Sequence, residues 1–476
     1  MKRSAFSSVV QAGPPGCSGF RAWQRMTRRE ALRIGGLGGV GLTLPELFRR
    51  REAMAAGPVA TGTFGRAKTV IMLFLHGGHP QQETFDPKPE GPSAVRGEFG
   101  AIATSVAGVR FSEVLPLTAG IADRLAIVRS MSHENPNHVQ ACLPAQTGHA
   151  HPKGFRSRGD FPPSASDFPP VGAVLDSVRP ADGDLPTWVR VGPLMRRSNG
   201  TTLHGQLPGL LGAAHSSFVV NQPLTAPDVK IQAIRPNNDL TSVRLTSRRD
   251  LLVQFDQQRR LIDEVAAAQN LDRFYQRAFN LLSSPRTRNA FALASEPQAL
   301  RDRYGKTEFG QRCLLARRLA EAGVPMVNIS YCHTPRGSWD THGRNFSKMK
   351  DSLGPTLDQS LTALVEDLGE RGMLDETLVV VNAEFGRTPK INGNAGRDHW
   401  PWVYSLALAG AGVHGGSVHG ASDESAAYPV ANPHDPADFV ATVYHLLGLP
   451  PETMIADATD RPLRVVLGRT IAPLLS

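Results

Sequence analysis

Thr69-Val-Ile-Met-Leu-Phe-Leu75, running directly into His76-Gly-Gly-His-Pro80, is the stretch on which the fold turns. An unbroken apolar run of this length suits a strand buried on both faces of a parallel sheet. A Gly-rich turn at its carboxyl end is where open α/β sheets place ligands. Leu125-Ala-Ile-Val-Arg-Ser-Met131 has the same form and runs into His133-Glu-Asn-Pro-Asn-His138, which places His138 in an expected loop at the strand end. Val324-Pro-Met-Val-Asn-Ile-Ser330 precedes Ser338-Trp-Asp-Thr-His-Gly-Arg344, and Thr377-Leu-Val-Val-Val-Asn382 precedes Glu384. Helical patterns fall between these strands: Arg248 to Asn280, Phe309 to Ala322, and Met349 to Glu370 with Leu353, Leu357, Leu361, Leu364 and Leu368 on one face. Strand, loop and helix alternate as in an α/β domain with a mainly parallel central sheet flanked by helices on both faces. The stretch from Pro152 to about Pro236 is rich in Pro, Gly, Ser and Asp with little periodicity, so it is expected to be an insertion or cap near the site and not scaffold.

The chemistry gathers in three segments: Ser338 to Arg344, Asn382-Ala-Glu-Phe-Gly-Arg-Thr-Pro389, and Gly396-Arg-Asp-His-Trp-Pro401. They bring two carboxylates and two imidazoles, Asp340, His342, Glu384 and His399, beside Gly and Pro turns. Mixed carboxylate and imidazole ligands are how a divalent metal site is commonly laid out in sequence, and zinc, calcium and manganese all suit that set. Glu384 has a structural alternative as an ion-pair partner of Arg387, and Asp86-Pro-Lys-Pro89 reads equally as a turn or as part of the site. His79, His133, His149 and His151 have no spacing partners and are expected to be loop histidines.

Thr27-Arg-Arg-Glu-Ala-Leu-Arg33 followed by Ile34-Gly-Gly-Leu-Gly-Gly-Val-Gly-Leu-Thr-Leu44 has the form of a bacterial twin-arginine export signal, with Ala53-Met-Ala55 as a small-x-small cleavage site. The run is too short and Gly-rich to span a membrane. Residues 1–55 are therefore expected to engage the export machinery and 56–476 to form the catalytic domain, delivered to the periplasm or the extracellular space. The chain of 476 residues has a formal charge of +9, but residues 1–55 hold ten Lys and Arg against three Glu, which leaves the remainder near +2. A nucleic-acid partner is not called for. Four cysteines, Cys17, Cys142, Cys313 and Cys332, are too few and scattered for a disulfide framework, and no C-x-x-C occurs.

Glu83-Thr-Phe-Asp-Pro-Lys-Pro89, Trp339-Asp-Thr-His342, Glu384-Phe-Gly-Arg-Thr-Pro389 and Arg397-Asp-His-Trp-Pro401, taken with the paired arginines, closely resemble the bacterial domain-of-unknown-function 1501 family over nearly the whole of 56–476. That family looks like a branch of the alkaline phosphatase and sulfatase superfamily, which implies metals at the strand ends. By this resemblance Asp340 and His342 look like the superfamily's Asp and His pair, Glu384 stands at an aspartate ligand, His399 at the late histidine ligand, and Asp398 beside it binds or orients it. Phe385 stands where a histidine ligand is expected, and His76 stands at the first metal-binding aspartate.

The nucleophile departs from the pattern as well. His138-Val-Gln-Ala-Cys-Leu-Pro-Ala-Gln-Thr-Gly148 keeps the Thr-Gly of sulfatases but puts His138 where their modified cysteine or serine stands. His138 is then a ligand or a phosphohistidine-like nucleophile, or attack falls to an activated water, since a bound divalent ion lowers the water pKa. The resemblance implies a hydrolase of sulfate or phosphate esters, acting on a small-molecule or polysaccharide anion, with Arg387 or Lys88 neutralising the anionic group. Loss of the usual nucleophile leaves a second expectation, a non-catalytic binding protein on the same scaffold.

Overall fold

The computed structural model describes residues 62–151, 159–181, 184–234, 284–331, 339–457 and 459–475. The export segment and the predicted helix at 248–280 lie outside them. Thr69–Phe74 is strand β1, and every one of its residues is buried. Its side chains divide by parity: Ile71 and Leu73 enter one core, Val70 and Met72 the other. Fully burying one such side chain is worth about 1.5–3 kcal/mol, so the run is stable only between two covered faces.

The remaining strands of the main sheet are Leu125–Met131 (β2), Trp188–Val191 (β3), Phe218–Val220 (β4), Met326–Ser330 (β5), Thr377–Asn382 (β6), Tyr404–Ala409 (β7) and Ser417–His419 (β8). They lie in the order β8-β2-β7-β6-β1-β5-β3-β4. β7 runs antiparallel to both of its neighbours and every other pairing is parallel. Helices cover both faces. His138–Thr147 (α1), Val171–Val178 (α2), Glu308–Ala322 (α3), Gly354–Glu370 (α4) and Pro436–Leu446 (α5) are the main ones. Residues of α3 and α4 fill the core on one face, and those of α2 and α5 fill it on the other. No helix among the described residues is long and apolar enough to cross a membrane.

Local chemistry sets the helix boundaries. Thr307 caps α3, its side chain accepting from the Gly310 N–H, and Gly323 ends the helix in the left-handed region. The predicted helix beginning at Met349 opens with a π turn, Met349–Leu353, ahead of α4. Pro355 supplies no N–H there, and the wider turn accommodates that loss.

Register then fixes where the site forms. Phe74 of β1 lies beside Ser330 of β5 on one side and Asn382 of β6 on the other. The chain therefore leaves these three strands at one edge of the sheet. β2 is parallel to them and delivers His133 to His138 to the same edge. β7 runs the other way, so the residues before it, His399 and Trp400, arrive there too.

Two expectations need correction. The stretch from Pro152 to about Pro236 contains β3 and β4, which belong to the central sheet, as well as α2, so it is partly scaffold. Those strands have four and three residues, too few for periodicity to register. The segment from His138 is not a loop. It is helix α1, started by Asn137, whose side chain accepts from the Val139 N–H.

Candidate metal centre

The turn after β1 brings backbone into very close contact with the other site segments. Gly77 has φ +106°, and a Cβ there would lie 2.3 Å from the Asp340 nitrogen. Gly78 has φ +84°, and its Cβ would lie 2.5 Å from the Phe385 carbonyl oxygen. Only glycine satisfies both conformation and space at these positions. The Trp339 N–H donates to the His76 carbonyl (3.1 Å), and the Gly77 N–H donates to Glu384 Oε1 (2.8 Å).

Asp340 is the hub. Its Oδ1 lies 3.1 Å from His342 Nε2, 3.1 Å from His399 Nε2 and 2.6 Å from Arg387 Nη2, and its Oδ2 lies 3.4 Å from His138 Nε2. His342 Nε2 and His399 Nε2 are 2.9 Å apart. The opposite nitrogen of each ring is already engaged. His399 Nδ1 donates to the Pro136 carbonyl (2.7 Å), His342 Nδ1 to Asp398 Oδ1 (2.6 Å), and His138 Nδ1 to Glu384 Oε1 (2.6 Å). A neutral imidazole that donates from Nδ1 presents a bare lone pair at Nε2. Three such lone pairs are turned towards one carboxylate, and mutual repulsion is relieved only by a proton or a cation among them.

Fit to a divalent ion can be judged from the donors. His138, Asp340 and His399 present ligand atoms within 4.8 Å of one another, as do His76, His138 and Glu384. In the second set Glu384 Oε2 and His76 Nδ1 are buried without a hydrogen-bond partner. Buried polar atoms are seldom left unpaired, and imidazole with carboxylate is a zinc-like donor set, so the residues fit. Asp398, with Asn392 Nδ2 at 3.2 Å, orients His342 from outside.

Electrostatics favour the ligating forms of the two carboxylates, His76 and His399, and a proton on His138 and His342. Burial would raise the Asp340 pKa, but His138, His342 and His399, where a ring carries a proton on Nε2, and the charge of Arg387 hold it far below the carboxylate range. Burial opposes charge on Glu384 too, yet its bond to His138 and the nearby His76 keep it below its ordinary value. Burial lowers His76 and His399 to about 4. His342 is raised by its bond to Asp340, helped by Asp398. For His138 burial is outweighed by Asp340 and Glu384, and its pKa rises.

Of the residues singled out in sequence, His76, His138, Asp340, His342, Glu384, Arg387, Asp398 and His399 are joined by these contacts. Lys88 is set elsewhere, against Asp86 at 3.1 Å, where Ser422 also donates to that carboxylate. Arg387 is fully buried, and its guanidinium serves Asp340 and the carbonyls of Gly77, Gly78 and Arg397, which commits it to holding the turn and not to meeting a ligand. Glu384 is not its ion-pair partner; Asp340 is. Sequence reasoning placed His133 among loop histidines without a role, whereas its Nε2 lies 2.7 Å from the Glu384 carbonyl, and it did not single out the N–H of Gly77. Neither carries a side-chain pattern that would have marked it. Phe385, in place of a histidine, packs its ring against His138 (4.9 Å) and His399 (4.6 Å).

A cluster of carboxylates and imidazoles, set at the carboxyl edge of a mainly parallel sheet, stands where α/β proteins of this kind place their ligands. The chain belongs to the DUF1501 family, described as protein of unknown function, whose model matches residues 67–475. Among solved structures it is similar to a sulfatase from Pseudoalteromonas sp., 14% identical, covering 90% of this chain and 74% of that one with a TM-score of 0.38. It is also similar to a phosphonate monoester hydrolase from Silicibacter pomeroyi, at 13% identity, 86% and 76% coverage and a TM-score of 0.36. A lipoteichoic acid synthase from Listeria monocytogenes gives 10%, 88%, 79% and 0.36. No curated protein matches the chain in sequence. No activity passes to this chain from likenesses of that size.

Proposed function

We propose that the protein is an exported, metal-dependent hydrolase of sulfate or phosphate esters. The observation that carries this reading is the convergence of the Nε2 atoms of His138, His342 and His399 on Asp340, with the far nitrogen of each ring held by an acceptor. His138, Asp340, His342 and His399 would hold one ion, and His76 with Glu384 would extend the set. A divalent ion there would polarise an ester oxygen and bring a water towards ionisation at neutral pH. The chain's own residues do the rest. Asp398, Pro136 and Glu384 fix the tautomers, and Arg387 anchors Asp340. The partly exposed His342 marks the side from which an anionic ester, small or polysaccharide, would approach. Arg28 and Arg29 support export.

The binding-protein reading keeps one specific support. Cys142, the only thiol near His138 among the described residues, packs with Phe74, Val139 and Ala145, and burial pushes its pKa well up, so it is no nucleophile.

The test combines metal analysis of purified protein with a screen of aryl sulfate, phosphate and phosphonate esters on zinc-, calcium- and manganese-loaded samples. Turnover that falls at least tenfold in Asp340→Asn and His399→Ala, together with bound metal, is expected. Stoichiometric metal without turnover on any ester would favour the binding protein, and absence of metal in the native protein would overturn both.

A further inference from the structure

His149 and His151 drew no role from their spacing, and His204 and Asp167 lie in a stretch of low periodicity. The fold nevertheless gathers three of these four. His204 Nδ1 stands 2.5 Å from Asp167 Oδ2, while His204 Nε2 stands 3.0 Å from the Phe161 carbonyl oxygen. A carbonyl only accepts, so Nε2 carries the hydrogen and in a neutral ring Nδ1 faces the carboxylate as a bare lone pair. Two acceptors this close, on a histidine that is fully buried, call for a positive charge at that spot. His151 brings a third ligand atom, and the three lie within 4.8 Å of one another. The rings of His151 and His204 are perpendicular at 4.6 Å, and Phe161 flanks both at 5.3 and 4.8 Å. Asp167 is held by the Leu210 N–H, which donates to its carbonyl, and by Ser164 Oγ, which donates to its Oδ1.

We propose that His151, Asp167 and His204 bind a second, structural divalent transition metal of the zinc class. Two imidazoles and one carboxylate are a zinc ligand set, and the backbone carbonyl on His204 Nε2–H is the outer partner such ligands use. None of the three residues belongs to the Asp340 centre. The position explains a purpose. Gln146, near the end of α1, donates to the His204 carbonyl (3.3 Å), and His151 lies four residues beyond Thr147, the last residue of that helix. The ion would clamp the far end of the helix whose first residue is His138, roughly 13 Å away at 1.5 Å per residue.

Zinc-edge anomalous diffraction and metal stoichiometry of the full chain test this. A peak bounded by His151, Asp167 and His204 is expected, with one equivalent fewer in His204→Ala. Because His204 is buried, Asp167→Asn is the companion variant: it keeps the size and removes the charge, and zinc affinity at this spot should fall by more than about tenfold. Asp340→Asn should empty the other centre and leave this one filled, which separates the two readings. No peak in zinc-soaked wild-type crystals, or unchanged metal content in both variants, would overturn the proposal and leave a histidinium–aspartate pair.

Discussion

His138 is where the two ligand sets of the candidate centre meet, and it is also the main partner of a fully buried carboxylate. In His138→Ala, Glu384 Oε1 would keep only the Gly77 N–H while Oε2 already lacks a partner. The variant should lose bound metal and any turnover, and also about 1–3 kcal/mol of stability, the cost of an unpaired buried acceptor, measured by urea denaturation. Unchanged stability with lost activity would point to a purely chemical role. A pH dependence belongs to the same scale. Burial lowers His79 and His133 to about 4 from an ordinary 6.5, as it does His76 and His399. A histidine whose folded value lies below its unfolded value binds fewer protons when folded. Its contribution to stability is therefore complete above pH 6.5 and is lost as pH falls towards 4. His138 and His342 are raised and act in the opposite sense, but they are fewer. Metal-free protein should show a urea midpoint that declines from pH 6.5 to 4, with a shallower decline in His133→Gln; a level midpoint would refute the assignment.

At the scale of elements, the Gly77-Gly78 turn matters most. Gly77→Ala puts a methyl group against the Asp340 backbone at a positive φ, so metal content should fall together with roughly 1–3 kcal/mol of stability. A variant that keeps both would show that the turn relaxes freely. The turn was legible in sequence because an apolar run stops at two glycines, and β1, β2, β5 and β6 were legible as continuous apolar runs. Three other features were not. α1 hides behind Asn135-Pro-Asn137, where the cap looks like another turn. β3 and β4 are too short to show a period. His399 stood out as a candidate ligand by its neighbours, but its route to the site depends on β7 reversing direction, which no local pattern announces. Lys88 and Arg387 meet partners that the sequence did not announce: charge type is visible in sequence, but the group that pairs with the charge is not.

For the whole molecule, the paired arginines give the testable statement. Exchanging Arg28 and Arg29 for Lys should hold full-length protein in the cytoplasm, seen by fractionation and immunoblot, and normal processing of that variant would exclude the export reading. The central position of β1 carries a different consequence, one of timing. Its two partners in the sheet begin at Met326 and Thr377, so more than 250 residues must be translated after Phe74 before either flank of β1 can be covered. At ribosomal speeds of about 5–20 residues per second that is a wait on the order of tens of seconds for a segment apolar on both faces. Such a strand is a hazard for intermolecular pairing until it is sheltered. The nascent chain is thus a natural client for a holding chaperone, and the proposed metal centre stays incomplete until His399 has emerged.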